Sequence, residues 1–305
     1  MNLRSFKNII LIAGIPLSVS LSWILGGELV KKISPLVLSS SRMLVGIAIM
    51  ILFSNINATQ RGWSRNQRLE WWRNQLILAI TGRTLYYYFS SRALLSISPL
   101  DALLVTSLMP VFSLFMERIF GARFRTLLLP TSGLLASGFA FAAVASSRKA
   151  GVSASSALGY LEIIGAVVSF SLHLSLYGRV TKDDSPVNPL MVQFAIGAAC
   201  LLPADLSGYQ AFSHFSATDW GHFAVYAAVC NLLPFVLVHY ALKIVSPLTV
   251  ASASVVSPLF GIVVVKASSG TSVEPSFVVF SLCAVVLTWA TIKLNLKEKS
   301  REALS

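Results

Sequence analysis

Along this chain, long apolar runs alternate with short polar connections, and each run is long enough to be a structural unit by itself. Ten of them, at about 9–25, 35–54, 76–95, 98–116, 127–145, 159–179, 188–205, 222–242, 247–265 and 276–294, approach the roughly 20 residues a helix needs to cross a bilayer. All are expected to be helical, because hydrocarbon offers no partner for an unpaired backbone N–H or C=O. Arg4 and Lys7 precede the first run as in a secretory signal, but no small-residue cleavage site follows, so the run is read as a span.

The runs also repeat. A shift of 148 positions lays Ala93-Leu94 on Ala241-Leu242, Ser98-Pro99-Leu100 on Ser246-Pro247-Leu248, Pro110 on Pro258 and Phe112 on Phe260, seven identities in the twenty positions from 93 to 112. A shift of 151 lays Ser34-Pro35 on Ser185-Pro186 and Gly46 on Gly197. The second, fourth, seventh and ninth runs therefore all open with Ser-Pro. Serine caps the free N–H groups of a helix start, and proline at the first helical position lacks the N–H that would go unpaired there. Two copies of five spans each, an odd number, enter the membrane from opposite sides. The expected fold is an all-α membrane protein of ten transmembrane helices arranged as two inverted five-helix repeats, 8–146 and 158–294, followed by a basic tail at 295–305.

Such a repeat is a carrier architecture, with the substrate held near the midplane between the halves. Trp23 with Gly26 and Gly27, Ser34-Pro35 followed by Arg42, and the stretch from Ala93-Leu94 through Pro110 to Glu117-Arg118 carry a resemblance to the drug/metabolite transporter superfamily, specifically its ten-span EamA-type members. The resemblance covers nearly the whole chain, although Lys266 stands where the first copy has its acidic residue after the span. It implies a carrier of small metabolites, commonly outward, with a central cavity lined by both halves, and it names no substrate.

Composition agrees. The chain is 55% apolar and 12% charged, against about a quarter charged in ordinary globular chains, which excludes a soluble domain. A net charge of +12 would suggest nucleic-acid binding in a soluble protein. Here the cations sit between spans, so the expected partners are the lipid bilayer and a small-molecule substrate, with a proton or a counter-substrate as the driving species, and no nucleic acid. With the first end inside, sixteen Lys and Arg fall in inside segments and six in outside ones, which places both termini in the cytoplasm of a cell (inner) membrane. Asn57-Ala58-Thr59 matches a glycan acceptor but then lies on the cytoplasmic side. Cys200, Cys230 and Cys283 are too far apart for a metal or redox pair, and no nucleotide fingerprint, zinc pair or assembled nucleophile and base is present. No cofactor, metal or catalytic residue is expected.

Polar residues inside spans are the candidates for the site. Arg83, midway along the third span, costs roughly 2.5–3.5 kcal/mol even on the mildest scale, so a compensating partner is required. Tyr87 lies one turn on, and the repeat sets Asn231 and Phe235 at the equivalent positions, with His239 a turn further. Two aromatic and polar faces are thus expected to oppose each other across the axis. His173 and Tyr177 share a face of the sixth span, and Trp23 of the first span aligns close to them. All eight are candidate cavity residues, with packing as the competing role. Glu162 has no ionic neighbour on its own helix and is the candidate for coupling. Asp101, three residues after Ser98, reads as a helix cap, and Glu28 with Lys31 and Lys32 as a helical ion pair. Pro110 and Pro258, at matched points in two helices, are candidate hinges. Arg83 calls for a substrate with a carboxylate or other negative group, and the rings for an apolar or planar portion. An amino-acid-like or other carboxylate-bearing amphipathic compound leaving the cell fits, and sugar phosphates, nucleotide-linked sugars and vitamins fit too. An exchanger importing phosphorylated or nucleotide-linked metabolites is the transport alternative. A membrane-embedded enzyme or receptor has no use for two opposed copies.

Overall fold

A computed structural model describes residues 3–53, 64–121, 154–180, 187–202, 205–243, 246–269 and isolated positions between 275 and 286. Every regular element among them is helical: α1 (Leu3–Leu29), α2 (Pro35–Phe53), α3 (Arg65–Ala79), α4 (Tyr86–Ala93), α5 (Pro99–Thr106), α6 (Met109–Ile119), α7 (Ala154–Val180), α8 (Val187–Leu201), α9 (Ala217–Ala224), α10 (Leu233–Ala241), α11 (Pro247–Ala253) and α12 (Ser257–Ser269). Among the described residues, five stretches are long and apolar enough to cross a membrane, Pro35–Leu52, Pro99–Ile119, Ala157–Val180, Ala217–Ala241 and Pro247–Ala267, and Val187–Leu201 is apolar but shorter. The fifth expected span, most of the tenth, Asn57 to Thr59, Ser185-Pro186 and the basic tail lie outside the described residues.

Helix starts follow the capping chemistry of the sequence. Ser98 Oγ accepts the Asp101 N–H at 3.1 Å and donates to its carboxylate at 2.8 Å, so Asp101 is a cap. Ser246 and Ser34 accept the N–H groups of Thr249 and Val37 at 3.3 and 3.4 Å. The third span departs from expectation. Its apolar run covers 76–95, yet helix begins at Arg65 behind a capping box in which Ser64 and Gln67 satisfy each other. The polar turns at 65–75 carry no apolar signal, but a capped start lets a helix continue out of the apolar layer. A segment outside every expected run, Ser207–His214, forms a 3₁₀ helix against α2, where Tyr209 OH meets Ser40 Oγ at 2.6 Å and Ser34 donates to Asp205. That hydroxyl, with the Gly208 N–H, holds the Asp205 carboxyl below its usual range.

The two halves meet through exchanged pairs of contacts, as a two-fold relation requires. Gly46 lies so close to Phe194 that a Cβ there would stand 2.7 Å from the ring, and Gly197 is equally tight on Met43 Sδ, at 2.9 Å. Met43 and Phe194 are themselves equivalent under the shift of 151. The two glycines let α2 and α8 cross with backbones in near contact, the usual basis of helix association in lipid. A second exchanged pair tethers the proline sites. Ser20 Oγ donates to the carbonyl of Ser257, just before Pro258, at 2.7 Å, and Ser171 Oγ to that of Met109, just before Pro110, at 3.3 Å. Ser20 and Ser171 again differ by 151.

Both prolines stand at true interruptions. Ser107 and Leu108 separate α5 from α6, and a 3₁₀ turn, Ser254–Val256, separates α11 from α12. Proline cannot donate to the carbonyl four residues back. For Pro110 that carbonyl belongs to Thr106, and it receives the Ser254 hydroxyl of the other half at 3.5 Å.

Candidate functional site

Where the halves meet, α1, α2, α4, the α5–α6 break, α7, the 225–241 helix and α11 surround a cavity of about 50 Å³. A single water needs roughly 10–15 Å³ and a metabolite pocket spans roughly 300–1,000 Å³, so the molecule is closed down around a few waters' worth of space. Its walls are mostly apolar and aromatic: Trp23, Tyr86, Tyr87, Phe170, Leu174 and Phe235, with Ser22, Ser90 and Ser91 as hydroxyls and Arg42 as the cation.

Arg42 is built into that wall by aromatic packing. Its guanidinium carbon lies 3.6 Å from the centre of the Tyr87 ring and 5.0 Å from that of Tyr226, and Nη1 donates to the Tyr226 hydroxyl. Among the described residues the buried Nε has no acceptor, and no carboxylate reaches ion-pairing distance of Arg42. A desolvated guanidinium with a spare donor attracts an anion, and its planar fork suits a two-point grip on a carboxylate or phosphate.

Of the eight residues expected at the cavity, Trp23, Tyr87 and Phe235 line it. Tyr87 and Phe235, repeat equivalents, meet edge to face with centroids 5.7 Å apart. Asn231 stands behind Tyr87, accepting its hydroxyl and donating to the Arg42 carbonyl at 3.0 Å. Arg83, His173, Tyr177 and His239 do not line the cavity. They form a second, closed cluster with α8: Arg83 Nη2 donates to Gln193 Oε1 at 3.3 Å and meets His239 Nε2 at 3.5 Å, and its guanidinium lies 3.8 Å from the Phe235 ring centre. The partner that burial demands for Arg83 is thus a set of amides, imidazole and rings, with no carboxylate among the described residues. Glu162, unpaired on its own helix, is held from α4 by Arg92 at 2.9 Å, and Arg92 also donates to Tyr88 OH at 2.8 Å. Lys31 pairs with Glu28 at 3.1 Å, but Lys32 reaches Asp219.

Sequence reasoning missed the place of Arg42 in the cavity wall, although it is an arginine well inside a span and stands about two helical turns after Ser34-Pro35. It also missed a backbone feature. Ile80–Leu85 and Val225–Leu232 are π-helical, and they carry Arg83 and Asn231, positions 148 apart. Single π turns inside helices release backbone groups and recur at functional sites.

A helical membrane protein of two related halves enclosing a cation-walled cavity is, as a class, a carrier of small molecules. The chain belongs to the EamA-like transporter family, whose pattern matches residues 6–145 and again 157–292. Members of that family are membrane transporters of small molecules and not enzymes. One solved crystal structure superposes with a TM-score of 0.66 over 93% of this chain and 95% of its own at 17% identity, a likeness of fold. Among curated proteins none matches this chain.

Proposed function

We propose that this protein exports a small amphipathic compound bearing a carboxylate, of amino-acid-like type, by alternating access of the central cavity, driven by a proton or a counter-substrate. Arg42 receives the negative group, and Trp23, Tyr87, Phe170 and Phe235 receive the apolar or planar portion. The carrying observation is the Arg42 guanidinium, set in the cavity wall between two tyrosine rings with a buried donor unmatched and no carboxylate beside it among the described residues. The reading includes ten spans in two inverted repeats, 8–146 and 158–294, with both termini in the cytoplasm. The 30–34, 95–98 and 205–216 connections then face outside.

The direct test is thermal stabilisation of the purified protein by matched sets of an aromatic acid, its amide and its amine. A ligand at 100 times its Kd stabilises by about 2.7 kcal/mol, enough to separate binder from non-binder. The acid should raise the melting temperature while the amide and amine leave it unchanged. Stabilisation by the amine alone would defeat the assignment, and a matched phosphomonoester that outdoes the acid would favour the exchanger of phosphorylated compounds.

The interruptions at Pro110 and Pro258 are the proposed hinges, each tethered by a serine of the opposite half. Pro110→Ala or Pro258→Ala restores an N–H that can rejoin the two helical segments. Either change is expected to slow uptake into reconstituted vesicles several-fold while ligand-induced stabilisation stays at the parent level. Parent transport rates in both variants would make the prolines packing features.

A further inference from the structure

The cavity arginine has a counterpart that the cavity does not use. Under the shift of 151 Arg42 falls on Gln193, and under the shift of 148 Arg83 falls on Asn231. The structure joins these four residues across the halves in exchanged pairs. Asn231 Nδ2 donates to the Arg42 carbonyl at 3.0 Å, and Arg83 donates to Gln193 Oε1 at 3.3 Å. Each guanidinium also lies on one ring of the central pair, Arg42 at 3.6 Å over Tyr87 and Arg83 at 3.8 Å over Phe235. The molecule therefore holds two related clusters, each a cation, an amide and a ring, with cation and amide at exchanged positions and one cluster at each ring of the Tyr87–Phe235 contact.

One cluster is open to the cavity and the other is shut. Arg83, Gln193, His173 and His239 are all 0% exposed, and Arg83 Nε is buried with no acceptor among the described residues. Its present acceptors are weak ones. His239 Nδ1 faces the Phe235 carbonyl at 2.5 Å and His173 Nδ1 the Leu78 carbonyl at 3.0 Å, so each ring carries its proton there and turns an Nε2 lone pair inward. The lone pair of His173 has no donor among the described residues. A neutral amide and a neutral imidazole bind a guanidinium less strongly than an anion does. Arg83 Nη1 also donates to the Gly82 carbonyl at 2.9 Å, and a cation kept in an apolar layer with only neutral partners among the described residues is poised for a negative ligand.

Inverted repeats reach the oppositely open state when each half takes the shape the other had. That exchange buries Arg42 and brings its equivalent Gln193, with Arg83 hydrogen-bonded to it, to the cavity wall. We infer that Arg83 is a second anion half-site, which takes the substrate's carboxylate as it leaves Arg42 and passes the Tyr87–Phe235 pair toward the opposite face. The inference rests on the Arg42 reading above and adds to it a second binding position, used in the other half of the cycle.

The test uses protein lacking Cys200, Cys230 and Cys283, with a single cysteine at Gln193 in the closed cluster or at Ser91 in the cavity wall. Cells and inverted membrane vesicles are treated with impermeant anionic (sulfonate) or cationic (trimethylammonium) methanethiosulfonate reagents, each rate normalised to that of a free thiol. Gln193→Cys should react from the face opposite to the one that modifies Ser91→Cys. There the anionic reagent should be favoured on the order of tenfold, the effect of one nearby unit charge in a partly wet site. Adding Arg83→Gln should erase that preference, and Arg83→Lys should keep it. The face of reaction is read with Arg83 intact, so it stands even where Arg83→Gln fails to fold. Reaction at 193 from no face, or from the same face as 91, overturns the second half-site, as does a preference indifferent to Arg83→Gln. The Arg42 reading fails separately, through an anionic preference at Ser91→Cys that survives Arg42→Gln.

Discussion

Arg42→Gln should bind its substrate at least tenfold more weakly, and transport should fall with it, while the empty protein melts no lower than the parent. A hydrogen bond to a charged partner contributes about 1.5–3 kcal/mol, which is roughly a 10- to 150-fold change in affinity. The stability half of the expectation runs the other way. A cation in the apolar layer costs roughly 2.5–3.5 kcal/mol, and nothing among the described residues neutralises Arg42. Its contacts with Tyr87 and Tyr226 return most of this, about 2 kcal/mol for a desolvated cation on a ring. Glutamine removes the unneutralised charge and so should leave the melting temperature level or raised. The measurements are ligand-induced stabilisation, vesicle uptake and the ligand-free melting temperature of both proteins. A steep loss of melting temperature with parent affinity would mark Arg42 as a structural strut. Arg42→Lys should fall between the two, since it retains the charge and loses the planar fork.

Gly82→Ala should be the most damaging of the small substitutions. A Cβ at position 82 would stand 2.2 Å from His173 Nδ1, 2.4 Å from Cγ and 2.7 Å from Cε1, closer than carbon atoms come in folded proteins. The imidazole has nowhere to go. Nδ1 is engaged with the Leu78 carbonyl, one face stacks on Phe170 with centroids 5.6 Å apart, and Tyr177 lies at 5.9 Å. Overpacking a filled core costs about 1–3 kcal/mol, and a contact at these distances belongs at or above the upper end. The expected outcome is a marked fall in melting temperature and in the yield of monodisperse protein. His173→Ala should rescue much of the loss in the double variant, because the ring is what the methyl meets, and a double-mutant cycle would show coupling well beyond additivity. A Gly82→Ala protein that melts with the parent would show that the α7 contact at Gly82 is looser than the structure has it.

Much of the architecture is legible in the chain itself because the forces that set it are local. Apolar runs become helices for lack of any other partner for the backbone, and Ser98 caps through a bond that spans three residues. The repeat is a property of the chain, and from it followed the meeting of Tyr87 with Phe235. Interruptions at Pro110 and Pro258 needed only the missing N–H. The start of the third helix at Arg65 was hidden, because polar turns carry no apolar periodicity and their helical state depends on the Ser64 cap.

What the tertiary structure alone decided is which of the two buried arginines faces the cavity. Arg42 and Arg83 look alike in sequence, each a cation well inside an apolar run. Their environments come from residues far away in the chain: Tyr226, 184 positions on, for Arg42, and Gln193 and His239, 110 and 156 positions on, for Arg83. The sequence repeat pairs Arg42 with Gln193 and Arg83 with Asn231, so it does not by itself say which cation meets the cavity. Glu162 gained Arg92, and Lys32 gained Asp219, by the same kind of long-range packing. Such pairings depend on how helices cross, and that is set by small residues such as Gly46 and Gly197 acting together across the interface, where no single helix contains the information.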